Sequence, residues 1–250
     1  MAASAHPRSL YTVYRTITSF LHPTAAESLL RLRRHFYPHK EDQGENHIRQ
    51  RLGEWTKLKS ISDLNSSSPP PPRKETTVVW FHAASAGEST SVIPIFTKLL
   101  QQVPDSHIVL SVGTKTGRVA ASSALRRSNL HKKVCVVTPP LDTPQAVNGF
   151  LTHFQPHAGI MVESELWPNL IHETRARGVP MAVLNGKLSS RAHGRWTMNF
   201  AFKGALRDIL MSFDMILSQS KKDTQRYNSV LLREGGGRGG KGRGRGRRRA

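Results

Sequence analysis

The sequence predicts an α/β protein built on a Rossmann-like open parallel sheet with helices on both faces. Three observations carry this. From Thr76 onward, short β-branched and apolar runs alternate strictly with longer segments whose apolar residues recur at helical spacing. The strand-like runs are apolar nearly throughout, as strands covered on both faces must be. About six such βα units are present, whereas closure into a barrel takes about eight.

The elements follow in order. Residues 76–81 form the first strand, and 89–102 the helix behind it, with Val92, Ile93, Phe96, Leu99 and Leu100 spaced along one face. Further strands are expected at 107–112, 133–137, 159–162, 181–184 and 215–218. Helices are expected at 116–125, 144–154, 166–177 and 195–210, with a last one beginning at 222.

The flanking segments differ in composition. Residues 1–45 begin with a stretch that has no Asp or Glu through position 22 but holds Arg8, Arg15, several hydroxyls, Leu10, Tyr11, Val13, Tyr14 and Ile17. This fits an organelle presequence or an amphipathic helix on a membrane surface, two compatible readings. Residues 46–75 read as a lead-in and a Ser/Pro-rich linker, because Pro69 to Pro72 fit neither a helix nor a central strand. The compact domain is expected over 76–229. Residues 230–250 read as a disordered Gly/Arg-rich tail, since glycine and like charges oppose packing.

The 250-residue chain has a formal net charge of +20. Eight basic residues against Glu234 between 233 and 249 supply +7 of it. No zinc-ligand spacing or helix-turn-helix pattern accompanies that charge, so a solvated basic surface with a basic tail is expected, not a dedicated nucleic-acid site. The single cysteine, Cys135, excludes an internal disulfide and reads as a buried thiol. No apolar run reaches the length of about 18 residues that a membrane span needs.

In open α/β sheets, ligands bind beyond the carboxyl ends of the strands. The loop after the first strand is His82-Ala-Ala-Ser85-Ala-Gly87-Glu88, with small residues that admit a ligand to the backbone. Glu88 is either a first-turn helix charge or a reactive carboxylate. His82 either contacts ligand or packs at the strand end. The loop after the fourth strand carries Glu163, Ser164 and Glu165, which either cap the next helix or orient hydroxyls and stabilise positive charge. Asn185-Gly-Lys-Leu-Ser189 follows the fifth strand and suits polyols or anions, or a turn and helix cap. Thr114 reads as a cap.

Taken in order, His82 to Glu88, Thr114-Lys-Thr-Gly117, Pro139-Pro-Leu-Asp-Thr-Pro144, Glu163-Ser-Glu-Leu-Trp-Pro-Asn169 and Asn185 to Ser189 resemble the Kdo (3-deoxy-D-manno-octulosonic acid) transferases. Phe213 to Ser220 with Asp223, and Ile48 to Gly53, are similar too, so the resemblance covers about 45–228. It implies the N-terminal, acceptor-binding domain of a GT-B glycosyltransferase. It implies an inverting, metal-independent transfer without cofactor from CMP-Kdo to a lipid A precursor, with Glu88 as proton acceptor and Glu163 as transition-state stabiliser. Ser85, Gly87, Glu165 and Asn185 are the implied acceptor-binding residues. The C-terminal donor domain is absent after about Ser229, which implies a truncated form. The composition of the N-terminus adds a mitochondrial, membrane-associated, plant-like version. Two other readings stay open: a non-catalytic lipid-acceptor or membrane-binding module, and an RNA-associated protein acting through its Gly/Arg tail.

Overall fold

The computed structural model describes residues 10–21, 23–36, 45–57 and 76–232. The prolines of the expected linker and the Gly/Arg run of the expected tail lie outside these residues. Six strands form one all-parallel sheet: β1 (Val78–Ala83), β2 (His107–Val112), β3 (Val134–Val137), β4 (Ala158–Val162), β5 (Met181–Gly186) and β6 (Met215–Ser218). Their spatial order is β3-β2-β1-β4-β5-β6. The chain winds outward from β1 to β3, returns to place β4 on the other side of β1, and winds outward again. The open sheet expected from the sequence is therefore present, with a reversal of winding between β1 and β4.

Alternation along β1 shows how the sheet is covered. Val78 and Trp80 face one apolar layer with Phe150 and Leu151 of α7 (Pro144–Phe154) and Ile171 of α8 (Pro168–Ala176). Val79, Phe81 and Ala83 face the other, with Phe96 of α5 (Ile93–Gln102) and Leu125 of α6 (Lys115–Arg127). Both faces are covered along β1, which is why it reads as a continuous apolar run; the edge strand β6 departs from this, with Met215 and Leu217 half-exposed. Cys135 is buried within the first layer.

Two expected helices are each split in two. The 89–102 segment becomes α4 (Ala86–Ser91) and α5, because Pro94 lacks an N–H and favours a helix start. The 195–210 segment becomes α9 (Ser190–Thr197) and α10 (Phe200–Leu210). There the Asn199 side chain accepts the Phe202 N–H at 2.9 Å and starts a new helix. The last helix, α11 (Lys221–Leu231), runs past the expected boundary at 229, and its Val230 is buried with Leu206 and Leu210 of α10.

The domain also begins earlier than expected. Before the linker lie α1 (Leu10–Phe20), α2 (Thr24–Phe36), α3 (Glu45–Arg51) and a short 3-10 turn (Trp55–Lys57). Ile48 and Leu52 are buried, and Trp55 packs edge-on against Phe150 and Phe154 of α7. The approach is closest at two glycines. A Cβ on Gly149 would lie 2.2 Å from the Gly53 carbonyl oxygen, and one on Gly53 would lie 2.4 Å from the Ala146 oxygen. The Thr138 N–H donates to Gln50 Oε1 at 2.8 Å, and the Leu141 N–H donates to the Arg51 carbonyl at 2.7 Å. Residues 45–57 thus hold the loop after β3 in place.

Helix α1 also lies on the domain. Tyr14 donates to Asp142 Oδ2 at 2.8 Å, Asn169 Nδ2 donates to Thr18 Oγ1 at 2.9 Å, and Arg15 pairs with Glu173 at 2.9 Å. Among the described residues no helix is long and apolar enough to cross a membrane.

The glycine contact gives a paired prediction. Gly149→Ala is expected to lower unfolding stability by about 1–3 kcal/mol or more in urea titration, because backbone must move. Gly204→Ala within α10, where an added Cβ meets nothing within 4 Å, is expected to raise stability by about 0.5–1 kcal/mol. Equal effects would contradict the packing described.

Candidate active site at the sheet reversal

The winding reverses between β1 and β4, and in open α/β sheets ligands enter beyond the carboxyl ends of the strands at such a reversal. In the register of the two strands, His82 lies opposite Met161. The β1 loop with Glu88 and the β4 loop with Glu163 and Glu165 therefore leave the sheet side by side. The β5 loop follows directly, with Val162 opposite Leu184.

Each loop is held by its own chemistry. Ser85 and Glu88 form a capping box at the start of α4. The Ala84 N–H donates to Glu88 Oε2 at 2.8 Å, the Ser85 hydroxyl donates to Glu88 Oε1 at 2.9 Å, and the Glu88 N–H reaches Ser85 Oγ at 3.3 Å. The reading of Glu88 as a first-turn helix charge therefore holds. The side chain caps the helix, and those donors fix its carboxylate in the loop after β1 with lone pairs left over. Gly87 is exposed, and nothing lies within 4 Å of where its Cβ would be, so the backbone is open there. On the far side, Gly117 packs on the loop: an added Cβ would lie 3.1 Å from the Ser85 carbonyl carbon and 2.8 Å from Thr114 Oγ1. Thr114 caps α6, accepting from the Gly117 N–H.

The β4 loop departs from the capping reading. Helix α8 starts at Pro168, and its first amides are taken by Asp142 from the loop after β3. Asp142 Oδ1 accepts the Leu170 N–H at 2.8 Å, and Oδ2 accepts the Asn169 N–H at 3.2 Å. Burial raises the Asp142 pKa, against the lowering effect of these donors and Tyr14. Glu163, Ser164 and Glu165 are consequently free of the α8 terminus. Ser164 donates to the Lys187 carbonyl and ties the β4 loop to the β5 loop.

Glu163 and Asn185 share an unusual feature. Glu163 has φ of 60° and Asn185 φ of 56°, both left-handed. This region is rare for a glutamate and concentrates at functional sites. Asn185 Nδ2 lies 3.5 Å from Glu163 Oε1. Two of the residues singled out in the sequence thus meet across adjacent strand ends, in backbone conformations that no sequence pattern announced.

A family model described as 3-deoxy-D-manno-octulosonic-acid transferase (kdotransferase) matches residues 46–236. The chain belongs to the Kdo transferase family. A probable 3-deoxy-D-manno-octulosonic acid transferase, mitochondrial, from Arabidopsis thaliana is 35% identical over 118 residues, 47% of this chain and 25% of that protein. The 3-deoxy-D-manno-octulosonic acid transferase of Rickettsia felis is 29% identical over 151 residues, 60% of this chain and 31% of the relative. That of Haemophilus influenzae is 31% identical over 151 residues, 60% and 34%. The chain spans a quarter to a third of the length of these relatives.

Within this Kdo transferase domain, Glu165 sits in a different environment from Glu163. His82 Nε2 lies 3.4 Å from Glu165 Oε2. The Trp167 indole donates to the same oxygen at 2.7 Å. His82 itself is buried, with Nδ1 2.9 Å from Ser111 Oγ, which also accepts the Trp80 indole N–H. The histidine is therefore a packed strand-end residue whose outer nitrogen faces a site carboxylate. Burial alone would raise the Glu165 pKa; His82 and Trp167 outweigh it and hold the carboxyl below its ordinary range.

A folded-state pKa below the unfolded one means that the native state binds fewer protons. The stabilisation is complete above the ordinary glutamate value and is lost as pH falls through the lower folded value. Glu165→Gln is expected to be about 1 kcal/mol less stable than the parent at pH 7, with the gap closing below about pH 4. Urea titrations across that range check this; a gap constant from pH 7 to pH 3 would contradict it.

Proposed function

We propose that the crevice between the β1 and β4 loops is the acceptor half of a GT-B active site that transfers Kdo from CMP-Kdo to a lipid A precursor. The observation that carries the reading is the arrangement of acids. Glu88 stands on one side of the reversal, and Glu163 and Glu165 on the other with no helix to cap.

In this reading the Glu88 carboxylate takes the proton from an acceptor sugar hydroxyl as that oxygen attacks the anomeric carbon of Kdo. The bond to the CMP oxygen breaks, CMP leaves with the electron pair, and the configuration inverts. The donors on Glu88 from Ala84 and Ser85 keep the base aimed at the crevice. Glu163, held in its strained backbone beside Asn185, offers negative charge to the oxocarbenium-like centre. Glu165, Asn185, Ser85 and the open backbone at Gly87 orient the acceptor. The donor binds on a second domain facing this one, and no metal takes part. The mitochondrial name of the Arabidopsis relative supports a mitochondrial location, and the apolar residues of α1 support work at a membrane surface.

The test joins residues 10–232 to the donor half of the Arabidopsis relative and measures Kdo transfer from CMP-Kdo to a tetraacylated lipid A precursor. Transfer is expected, and Glu88→Ala is expected to lower kcat by about 10²–10⁴-fold. A chimera carrying Glu88→Ala that turns over at the parent rate would remove Glu88 as the base.

A further inference from the structure

Helix α1 docks by its hydroxyl-bearing side. Tyr11, Tyr14 and Thr18 are half-buried, whereas Leu10, Val13 and Ile17 remain 41–55% exposed. A helix that merely lay on an apolar surface would bury its aliphatic residues instead. Tyr11, Arg15 and Thr18 share one face of α1 and meet His172, Glu173 and Asn169, which share one face of α8.

Tyr14 lies within that face and reaches further. Its hydroxyl donates to Asp142 Oδ2 at 2.8 Å, and this bond closes a ring. Asp142 Oδ2 also accepts the Asn169 N–H. Asn169 Nδ2 donates to the Asp142 carbonyl at 2.6 Å and to Thr18 Oγ1 at 2.9 Å. The Thr18 hydroxyl donates to the Tyr14 carbonyl at 2.9 Å. Asn169 is fully buried, so each lost member of the ring leaves a buried group short of a partner.

The other side of Asp142 faces the candidate site. Asp142, His82 and Trp167 line one small cavity of about 20 Å³, together with Arg51, Pro139 and Leu170. His82 and Trp167 are the two groups beside Glu165 Oε2. In so small a space, a wall that shifts displaces the others. The charged and titratable groups facing Asp142 are Tyr14 from α1, His82 from β1 and Arg51 from α3.

We propose that Tyr14 is a positioning residue of the site: through Asp142 it holds His82 and Trp167, and with them the Glu165 carboxylate, in place in the β4 loop. The proposal rests on the proposed function only for what Glu165 then binds, the acceptor. The segment that resembles a presequence in composition is thereby a support of the site.

Amide and carboxyl NMR spectra of the full chain test this. Tyr14→Phe removes one hydroxyl and keeps the ring. It is expected to displace the amide resonances of His82 and of Glu163 to Leu170. It should also raise the pH at which the Asp142 carboxyl titrates, because one donor to the ionised form is lost. Thr18→Val, which removes the other α1 side chain of the ring, should displace the same amides. Arg15→Ala breaks the ion pair to Glu173 and leaves the ring intact, so both readouts should stay at parent values. Melting temperatures check that each variant folds. Tyr14→Phe is also expected to weaken binding of a tetraacylated, phosphorylated disaccharide by about tenfold. Displacements confined to α1 and Asp142 would overturn the proposal, as would an unchanged affinity for the disaccharide. Equal displacements in Tyr14→Phe and Arg15→Ala would overturn it too, since the docking of α1 and not the Tyr14 hydroxyl would then set the loop. The spectra need no ligand, so a parent chain that fails to bind the disaccharide counts against the proposed function and leaves the loop displacements to decide this proposal.

Discussion

The rest of the structure depends on one constraint, the reversal of winding between β1 and β4. A right-handed βαβ unit moves the chain in one direction along a sheet. When β4 returns to the other side of β1, the loops leaving the two strands diverge to opposite faces and the carboxyl edge opens. Glu88 lies on one lip, and Glu163 and Glu165 on the other. The capping box fixes the first, and the left-handed backbone of Glu163 with the Ser164–Lys187 link fixes the second.

Asp142 connects this edge to the N-terminal segment. A buried carboxylate is costly unless donors surround it, and here three donors do: the Asn169 and Leu170 amides and the Tyr14 hydroxyl. By capping α8 from a distant loop, it frees the acids that precede that helix. By accepting from Tyr14, it seats α1 beside them.

Much of this was legible in the sequence, for identifiable reasons. Short apolar runs between helical segments specify strands, so β1 to β6 were each expected within a few residues, although β6 at the sheet edge is half-exposed. The order of strands and loops placed Glu88, Glu163, Glu165 and Asn185 at the carboxyl ends of strands one, four and five, where the structure has them. What was missed is long-range or conformational. The splits at Pro94 and Asn199 interrupt helices whose apolar spacing continues across the break. Trp55 enters the core from beyond a linker, through a glycine-to-glycine contact between residues 53 and 149 that no local pattern encodes. Asp142 caps a helix 26 residues downstream, so sequence alone left capping open for the nearer acids of the β4 loop. Positive φ at Glu163 has no residue-type signature, since glycine is the usual occupant.

The account turns on ligand entering at the reversal and not elsewhere on the sheet. The most direct measurement is an amide NMR titration of the chain with a tetraacylated, phosphorylated disaccharide acceptor. The account predicts saturable shifts concentrated in Ala84 to Glu88, Glu163 to Asn169 and Asn185 to Ser189. Shifts confined to the amino ends of the strands, or to the basic surface alone, would contradict it.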